Sequence, residues 1–468
     1  MPSFNIPLIA PVNQNVDPIA LEVFAAEIRD GYIDDAGYLV RRAGRQLFSD
    51  IGVTGEITGL YFWEERGALI VVSEGLVYRV DRDGSSTSIG TGLTYSGTPT
   101  FAAFVQQGKQ QLAIANGGSL LITDGDTSQL VTDLDLPERV SHVVHFDGFL
   151  VVNNLITGRF HYSEILDAFS WSALDFQSAE SKPDPVVAMN TIGGILYAFG
   201  TRSVEAFYNE GGDAFERNRT AEVQGGILAP HSLAQIQSSL FYVDDFKRVV
   251  LLAGNGSSVI SNPIGRKLEE VQDLEKSVGS VLIIGGQSFY VLRTPSRTFV
   301  YDVLHNMWHD WGHWNSFTSD YDNFDSKMIT VSRAWGTAFC GGPLGKVYEM
   351  NTSYYTDEGR PMRTMIRSGY LSHGSPNLKI SNRLAFRLKR GVASTSNAPD
   401  VTLRYRDEDE GAFSNEETIS LGSAGESDFY VTFQANGQYR ARQYELSCAS
   451  DAQFIIGGIQ EDVTEMVS

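Results

Sequence analysis

Two cysteines, Cys340 and Cys448, are all that 468 residues contain, which excludes a disulfide framework. Both sit among apolar or small neighbours, and a single bridge is not expected of a chain made in a reducing cytosol. No apolar run approaches the ~18 residues needed to cross a bilayer, and Met1–Ala10 lacks the basic start and long apolar centre of a signal peptide. The chain is therefore expected to be soluble, unexported and not inserted in a membrane. Positive charge is also scarce: 36 Lys and Arg face 57 Asp and Glu, a formal net charge of −21. Such a balance argues against gripping nucleic acid through a broad basic surface, because that affinity depends on releasing counterions from phosphates. It would suit a wall that DNA passes without sticking, although solubility alone also accounts for it. A phosphate-cradling Gly-x-x-x-x-Gly-Lys-Ser/Thr loop, a Gly-x-Ser-x-Gly elbow and the Asp-box repeat of sialidases are all missing. No enzyme, catalytic residue, metal site or cofactor is expected.

What the sequence has in quantity is glycine (46), phenylalanine (26) and tyrosine (20). Glycine supplies positive φ in tight turns and aromatics fit pleated surfaces, so an all-β fold of many short strands follows. A repeat organises them. Apolar strand clusters begin near Gly59, Thr100, Ser141, Val186, Ser232, Ser280 and Ile329, at spacings of 41, 41, 45, 46, 48 and 49 residues. Each unit reads as three strands with polar or Gly-rich turns and often a weaker fourth, such as Thr127–Leu130 or Met307–Trp311. Units of that length are blades of a β-propeller. The repeats carry no fixed motif, so about seven blades are expected, with six or eight left open. Phe4–Val12 is a candidate for the strand that closes the ring.

Three regions follow. Residues 1–50 form an N-terminal arm with the closing strand, 51–354 the propeller, and 355–468 a C-terminal β-sandwich of jelly-roll type. In the arm, Asp17-Pro18 signals a helix over Ile19–Arg29, and Arg41, Arg42 and Arg45 flank a stretch that looks built to pack on something else. Gly265–Ser277 spaces Leu268, Val271 and Leu274 as one short helix. Tyr355–Arg360 reads as a polar linker. Beyond it, Arg383–Leu388 alternates strictly, and Asn436-Gly437 suggests a hairpin turn between Phe429–Gln434 and Arg440–Cys448. Residues 352–468 hold 16 Asp and Glu against 12 Lys and Arg, so −4 of the charge falls there and −17 on the rest.

Few clusters suggest chemistry. His305, His309 and His313 have the four-residue spacing of helical metal ligands, but Gly312 and three tryptophans deny a helix, and an ordinary surface turn is expected. Asp244-Asp245 and Asp407–Glu410 read as solvated turns. Positive charge concentrates on Arg383, Arg387, Lys389 and Arg390, with Arg404 and Arg406, a strand that could face an acidic partner or DNA phosphate or could simply be solvated.

The stretch from Trp171-Ser172 through Ala179-Glu180-Ser181-Lys182-Pro183-Asp184 to Gly193-Gly194, Phe199-Gly200 and Ser203–Phe207 resembles the packaged-DNA-stabilisation proteins, the tail hubs of short-tailed bacteriophages. Gly37-Tyr38-Leu39, Arg42-Ala43-Gly44, Gln224-Gly225-Gly226-Ile227 and His231-Ser232 continue the resemblance in order. It implies a structural component of the virion tail, assembled in the host bacterial cytoplasm. The component would be a ring, typically a homohexamer, that closes the tail channel below the portal and its adaptor, retains packaged double-stranded DNA and gives it a path of ejection. Its partners would be further copies of itself, the portal–adaptor ring, and tail needle, fibre or tailspike proteins. Ala179, Glu180, Lys182, Pro183 and Asp184, with Arg41 and Arg42, are the candidate assembly contacts. The alternative is a propeller that binds carbohydrate or a host receptor, which would need a funnel of aromatics and paired carboxylates.

Overall fold

The computed structural model describes residues 2–6, 12–15, 25–95, 97–178, 184–209, 211, 215–254, 256–389, 399–407, 411–422, 425 and 430–466. The fold is an all-β propeller with almost no helix. Six four-stranded antiparallel meanders are continuous in the chain, spanning 57–90, 100–130, 143–177, 186–224, 234–259 and 278–315. In each, apolar residues alternate inward and tight turns reverse the chain. Gly193 and Gly194 make one such turn at φ 57° and 76°, where a side chain would be strained. Three more strands, Met328–Ser332, Thr337–Gly341 and Lys346–Asn351, take their fourth partner from far away: Gly44–Asp50 pairs antiparallel with Lys346–Asn351.

Neighbouring meanders share apolar clusters. Trp63, Ile70 and Val72 pack with Leu112, Ile114 and Leu121, and the succession continues round until Phe339 and Val347 meet Ile57, Leu60 and Leu69 of the first sheet. The expected helix appears as Gly265–Glu269 followed by a 3-10 turn at Leu274–Lys276, and Leu268, Val271 and Leu274 fill one of these clusters.

The arm does not do what its sequence suggested. Ser3–Asn5 pairs with Ile455–Glu465 rather than with any propeller strand, the strand that completes the last sheet is Gly44–Asp50, and residues 7–11 of the expected closing strand lie outside those described. Within the expected helix, Ala25–Arg29 is a strand paired with Thr364–Leu371, and residues 16–24 lie outside those described. Ala25–Arg29 also meets Met307–Asn315 in parallel, at Arg29 and Asp310, so the propeller sheet runs on into a layer of Thr364–Leu371, Arg442–Cys448, Asp400–Arg406 and Glu417–Ser420. A second layer holds Gly31–Ile33, Leu39–Arg41, Ile455–Glu465, Lys379–Leu388 and Tyr430–Gln434. One core, including Ile28, Leu39, Ile366, Leu384, Phe386, Leu403, Phe433 and Leu446, lies between the two layers. Asn436-Gly437 is not a hairpin turn: Tyr430–Gln434 and Arg442–Cys448 lie in different layers, and Gln438–Tyr439 still pairs with Lys379–Ile380 in the first of these before the chain crosses. Tyr355–Arg360 is no free linker either. Thr356–Asp357 and Arg360–Pro361 pair with each other, and Asp357 sits beside Arg45 of the closing strand.

Candidate assembly surfaces

Asp184 faces inward. Just before Val186–Ile192, its carboxylate accepts hydrogen bonds from Thr201 N (2.8 Å), Thr201 Oγ1 (2.6 Å), Arg202 N (2.8 Å) and Ser203 Oγ (2.9 Å). Burial acts to raise its pKa, and these donors outweigh burial and hold it below the usual carboxylate range. The turn is tight enough that a Cβ on Gly200 would lie 2.3 Å from Asp184 Oδ2, and one on Gly226 2.1 Å from Arg202 N. With 7% of its surface exposed, Asp184 staples the Gly200–Ser203 turn and offers no contact surface. The other four residues expected beside it, Ala179, Glu180, Lys182 and Pro183, lie outside the described residues.

The arm arginines are also turned inward. Arg41 donates from Nη1 to Ser450 O (2.6 Å), from Nη2 to Cys448 O (2.9 Å) and from Nε to Thr364 Oγ1 (3.1 Å). Arg42 binds Asp30 at 2.7 Å and Asp357 at 2.5 Å, and all three side chains are almost wholly buried. Arg45 reaches Asp325 at 2.6 Å and lies over the rings of Tyr348 and Phe324. His313 bridges the two acids, 3.0 Å from Asp325 and 3.2 Å from Asp357. Burial opposes charge on this imidazole, but the two carboxylates prevail and raise its pKa. In turn, Arg42, Arg45 and His313 hold Asp325 and Asp357 far below the normal range despite their burial. These residues join the arm, the closing strand and the C-terminal layers. They pack on something, as the sequence suggested, but it is the same chain. Of the histidine trio, His305 does sit in a turn at the surface, but His309 and His313 lie on the strand Met307–Asn315, and His309 is buried and held neutral, with its pKa pushed down to about 3.

The basic strand divides between two layers. Arg383, Arg387 and Lys389 belong to the Lys379–Leu388 strand and its end and point outward, Arg383 pairing with Asp462 at 2.9 Å and Lys389 donating to Gln453 Oε1 at 2.9 Å. Arg390 lies outside the described residues. Arg404 and Arg406 sit in the other layer, bound to Glu445 (2.6 Å) and Gln443 (2.8 Å) beneath the ring of Phe413. Beside Arg387, a groove of about 500 Å³ runs over Gly457 and Gly458 between Tyr430 and Asn5.

Sequence reasoning overlooked the middle of the propeller. A cavity of about 440 Å³ is lined by Tyr61, Phe101, His142, His145, Met189 and His231 among others, and none of the described residues around it is Asp, Glu, Lys or Arg. His142 and His231 stack at 4.9 Å. Burial keeps both neutral, pushing His231 down to about 4. Their 89-residue separation leaves no local pattern to find. Among the described residues, no group of three or more His, Cys, Asp or Glu could hold a metal ion, and no helix is long and apolar enough to cross a membrane. Both cysteines are buried, and burial raises their thiol pKa values.

A sequence model of the family described as bacteriophage P22 Gp10, β-propeller, matches residues 21–350. No curated protein matches. Among solved structures, virginiamycin B lyase from Staphylococcus aureus is similar at 8% identity and TM-score 0.45, covering 65% of this chain and 98% of its own. The N-terminal domain of Nup159 is similar at 10% identity and TM-score 0.39, covering 70% and 99%. The extracellular domain of a one-component system from B. thetaiotaomicron is similar at 11% identity and TM-score 0.45, covering 92% and 61%. Likenesses this distant carry no argument about what the chain does.

Proposed function

We propose, for a chain that belongs to the bacteriophage P22 Gp10 family of packaged-DNA-stabilisation propellers, that this structural phage protein is the hub of a short tail. Copies form a ring below the portal and adaptor, close the tail channel, retain packaged DNA and provide its route of ejection. The observation that carries the reading is the family match across residues 21–350, which takes in the closing strand and most of the propeller.

The physical chemistry is consistent with a scaffold. A ring of meanders tied back on itself is rigid and presents loops on two faces, so several copies can build a tube without any of them needing a reaction. The closed succession of shared cores supports a seven-bladed ring, the seventh blade being the one completed by Gly44–Asp50. The two layers around one core support a C-terminal sandwich of jelly-roll type, with residues 25–41 belonging to it rather than to the propeller. Its outward Arg383, Arg387 and Lys389 form a surface for an acidic partner or passing DNA phosphate. Tail needle, fibre or tailspike proteins are the further partners of this reading, and the assembled ring belongs to the virion tail.

The test uses tail particles made without this chain. Adding the purified protein to a portal–adaptor complex should give one defined larger species by light scattering, and particles should then retain their DNA. A chain that ignores the complex and binds glycan as a monomer would overturn the proposal.

A further inference from the structure

One hairpin stands apart from the rest of the surface. Beyond its pairing with Thr298–Asp302, the strand Met307–Asn315 runs on and folds back against Asp320–Asn323, with Trp314 opposite Tyr321 and Asn315 opposite Asp320. Its base is held firmly. Tyr321 OH donates to Arg363 O at 2.7 Å, the Arg363 guanidinium lies 4.1 Å from the Trp314 ring, and that of Arg29 lies 4.7 Å from Tyr321. Its tip is preformed, because Asn315 Oδ1 accepts from Phe317 N at 3.0 Å and Thr318 N at 3.4 Å. On that tip Phe317 is 99% exposed, and exposed Asp320 and Asp322 follow it. A fully solvated phenylalanine on a rigid support contributes nothing to this chain's own core. It has the form of an interface anchor.

The opposite end of the same sheet carries a slot. A cavity of about 400 Å³ opens between Ile283 and Ile284 on one side and Val331, Ala338 and Met350 on the other, with Arg333 at its rim. Arg333 is exposed and makes no ion pair among the described residues. The slot is lined by apolar side chains and carries the Arg333 guanidinium at its edge, beside Glu64, whose carboxylate accepts from Arg333 N at 2.6 Å, whereas the hairpin tip is apolar and flanked by carboxylates. The hairpin cannot reach this slot in its own molecule. It leaves the sheet at the end where Thr298 pairs with Trp311, and the slot lies at the end where Ile284 pairs with Gln287. The seven-residue strand Gln287–Arg293 separates those ends, roughly 20 Å at ~3.3 Å per residue.

We propose that Phe317 of one copy docks in the slot between Ile284 and Val331 of a second copy, with Asp320 and Asp322 meeting Arg333. This rests on the reading that copies of the chain assemble with one another. The contact joins two different surfaces and is therefore head to tail, which repeats from copy to copy and closes into a ring when the rotation permits.

The test is analytical ultracentrifugation of the full chain, together with the same chains on tail particles. Phe317→Ser should weaken self-association about 30-fold, the loss typical of an anchor, with the unfolding curve unchanged. Arg333→Asp should weaken it, and so should Asp320→Arg with Asp322→Arg, whereas the triple charge swap should restore it. With both native cysteines buried, Phe317→Cys combined with Val331→Cys should yield reducible covalent oligomers. If the wild type assembles but these variants assemble equally well and no cross-link forms, the docking is wrong and the hub reading stands. A wild type that stays monomeric both alone and on tail particles overturns both.

Discussion

Replacing Arg42 by leucine tests whether the buried charge cluster is the clasp that joins the N-terminal arm to the rest of the molecule. The guanidinium is completely buried, and its partners Asp30 and Asp357 are nearly so, at 2.7 and 2.5 Å. Removing the cation leaves two carboxylates in a low-dielectric site, Asp357 with His313 and Arg45 beside it and Asp30 with no other ion pair among the described residues. Breaking a buried pair on one side costs about 3–5 kcal/mol, against a total stability typically of about 5–15 kcal/mol. The global melting temperature is a blunt reading of this. At about 2.1 cal/mol/K of unfolding entropy per residue, a 468-residue chain unfolding as one unit would shift by only about 3–5 °C. Amide exchange is sharper, since protection should fall selectively in Gly44–Asp50 and Thr356–Asp357 while distant meanders such as 100–130 keep theirs. Adding Asp357→Asn should cost much less than the sum of the two single losses, because the second change relieves a charge the first stranded. Additive losses, or an Arg42→Leu cost below about 1 kcal/mol, would refute the clasp.

Asp184→Ala strands the donors at Thr201, Arg202 and Ser203 and should cost about 1–3 kcal/mol in urea unfolding, so a charge reversal there would report on folding before it reported on assembly. His231 has a depressed pKa of about 4, so its contribution is complete above the unfolded value near 6.5 and falls by up to about 1.4 kcal/mol per pH unit as pH drops toward 4; His231→Gln should remove that slope from the urea midpoints. His313 behaves oppositely. Its raised pKa gives a contribution that is complete below about 6.5 and is lost as pH rises through the folded-state value, so His313→Gln should abolish an alkaline decline in stability that the wild type displays.

The propeller was legible because its signal is local and repeated: each unit carries its own alternation and turns, and spacings of 41 to 49 residues expose them. The family match over residues 21–350 spans the same units. The arm was not legible. Its strands are three to seven residues long, and the fate of Arg42 depends on Asp357, 315 positions away. Charged side chains misled most. Asp184, Arg41 and Arg42 looked like surface groups because such residues usually are, and only three-dimensional partners reveal that their charge is satisfied within the chain. The basic run failed in another way. Arg383 and Arg404 alternate similarly along their strands, but adjacency in sequence says nothing about which of two layers each strand joins.

The closing strand also has a mechanical meaning. Gly44 pairs with Asn351 and Asp50 with Lys346, so a pull on the chain just before residue 44 and just after residue 351 loads the same end of the ladder. That geometry opens a two-stranded pairing one bond at a time, its weakest response to force. Arg42 and Asp357 grip each other directly outside that end, and Glu358 N donates to Arg45 O at 2.8 Å beside them. Tension arriving through the arm or from the C-terminal layers therefore meets this grip before it reaches the first ladder bond. A propeller under tension would be held shut at the place where its own closing strand would otherwise start to peel.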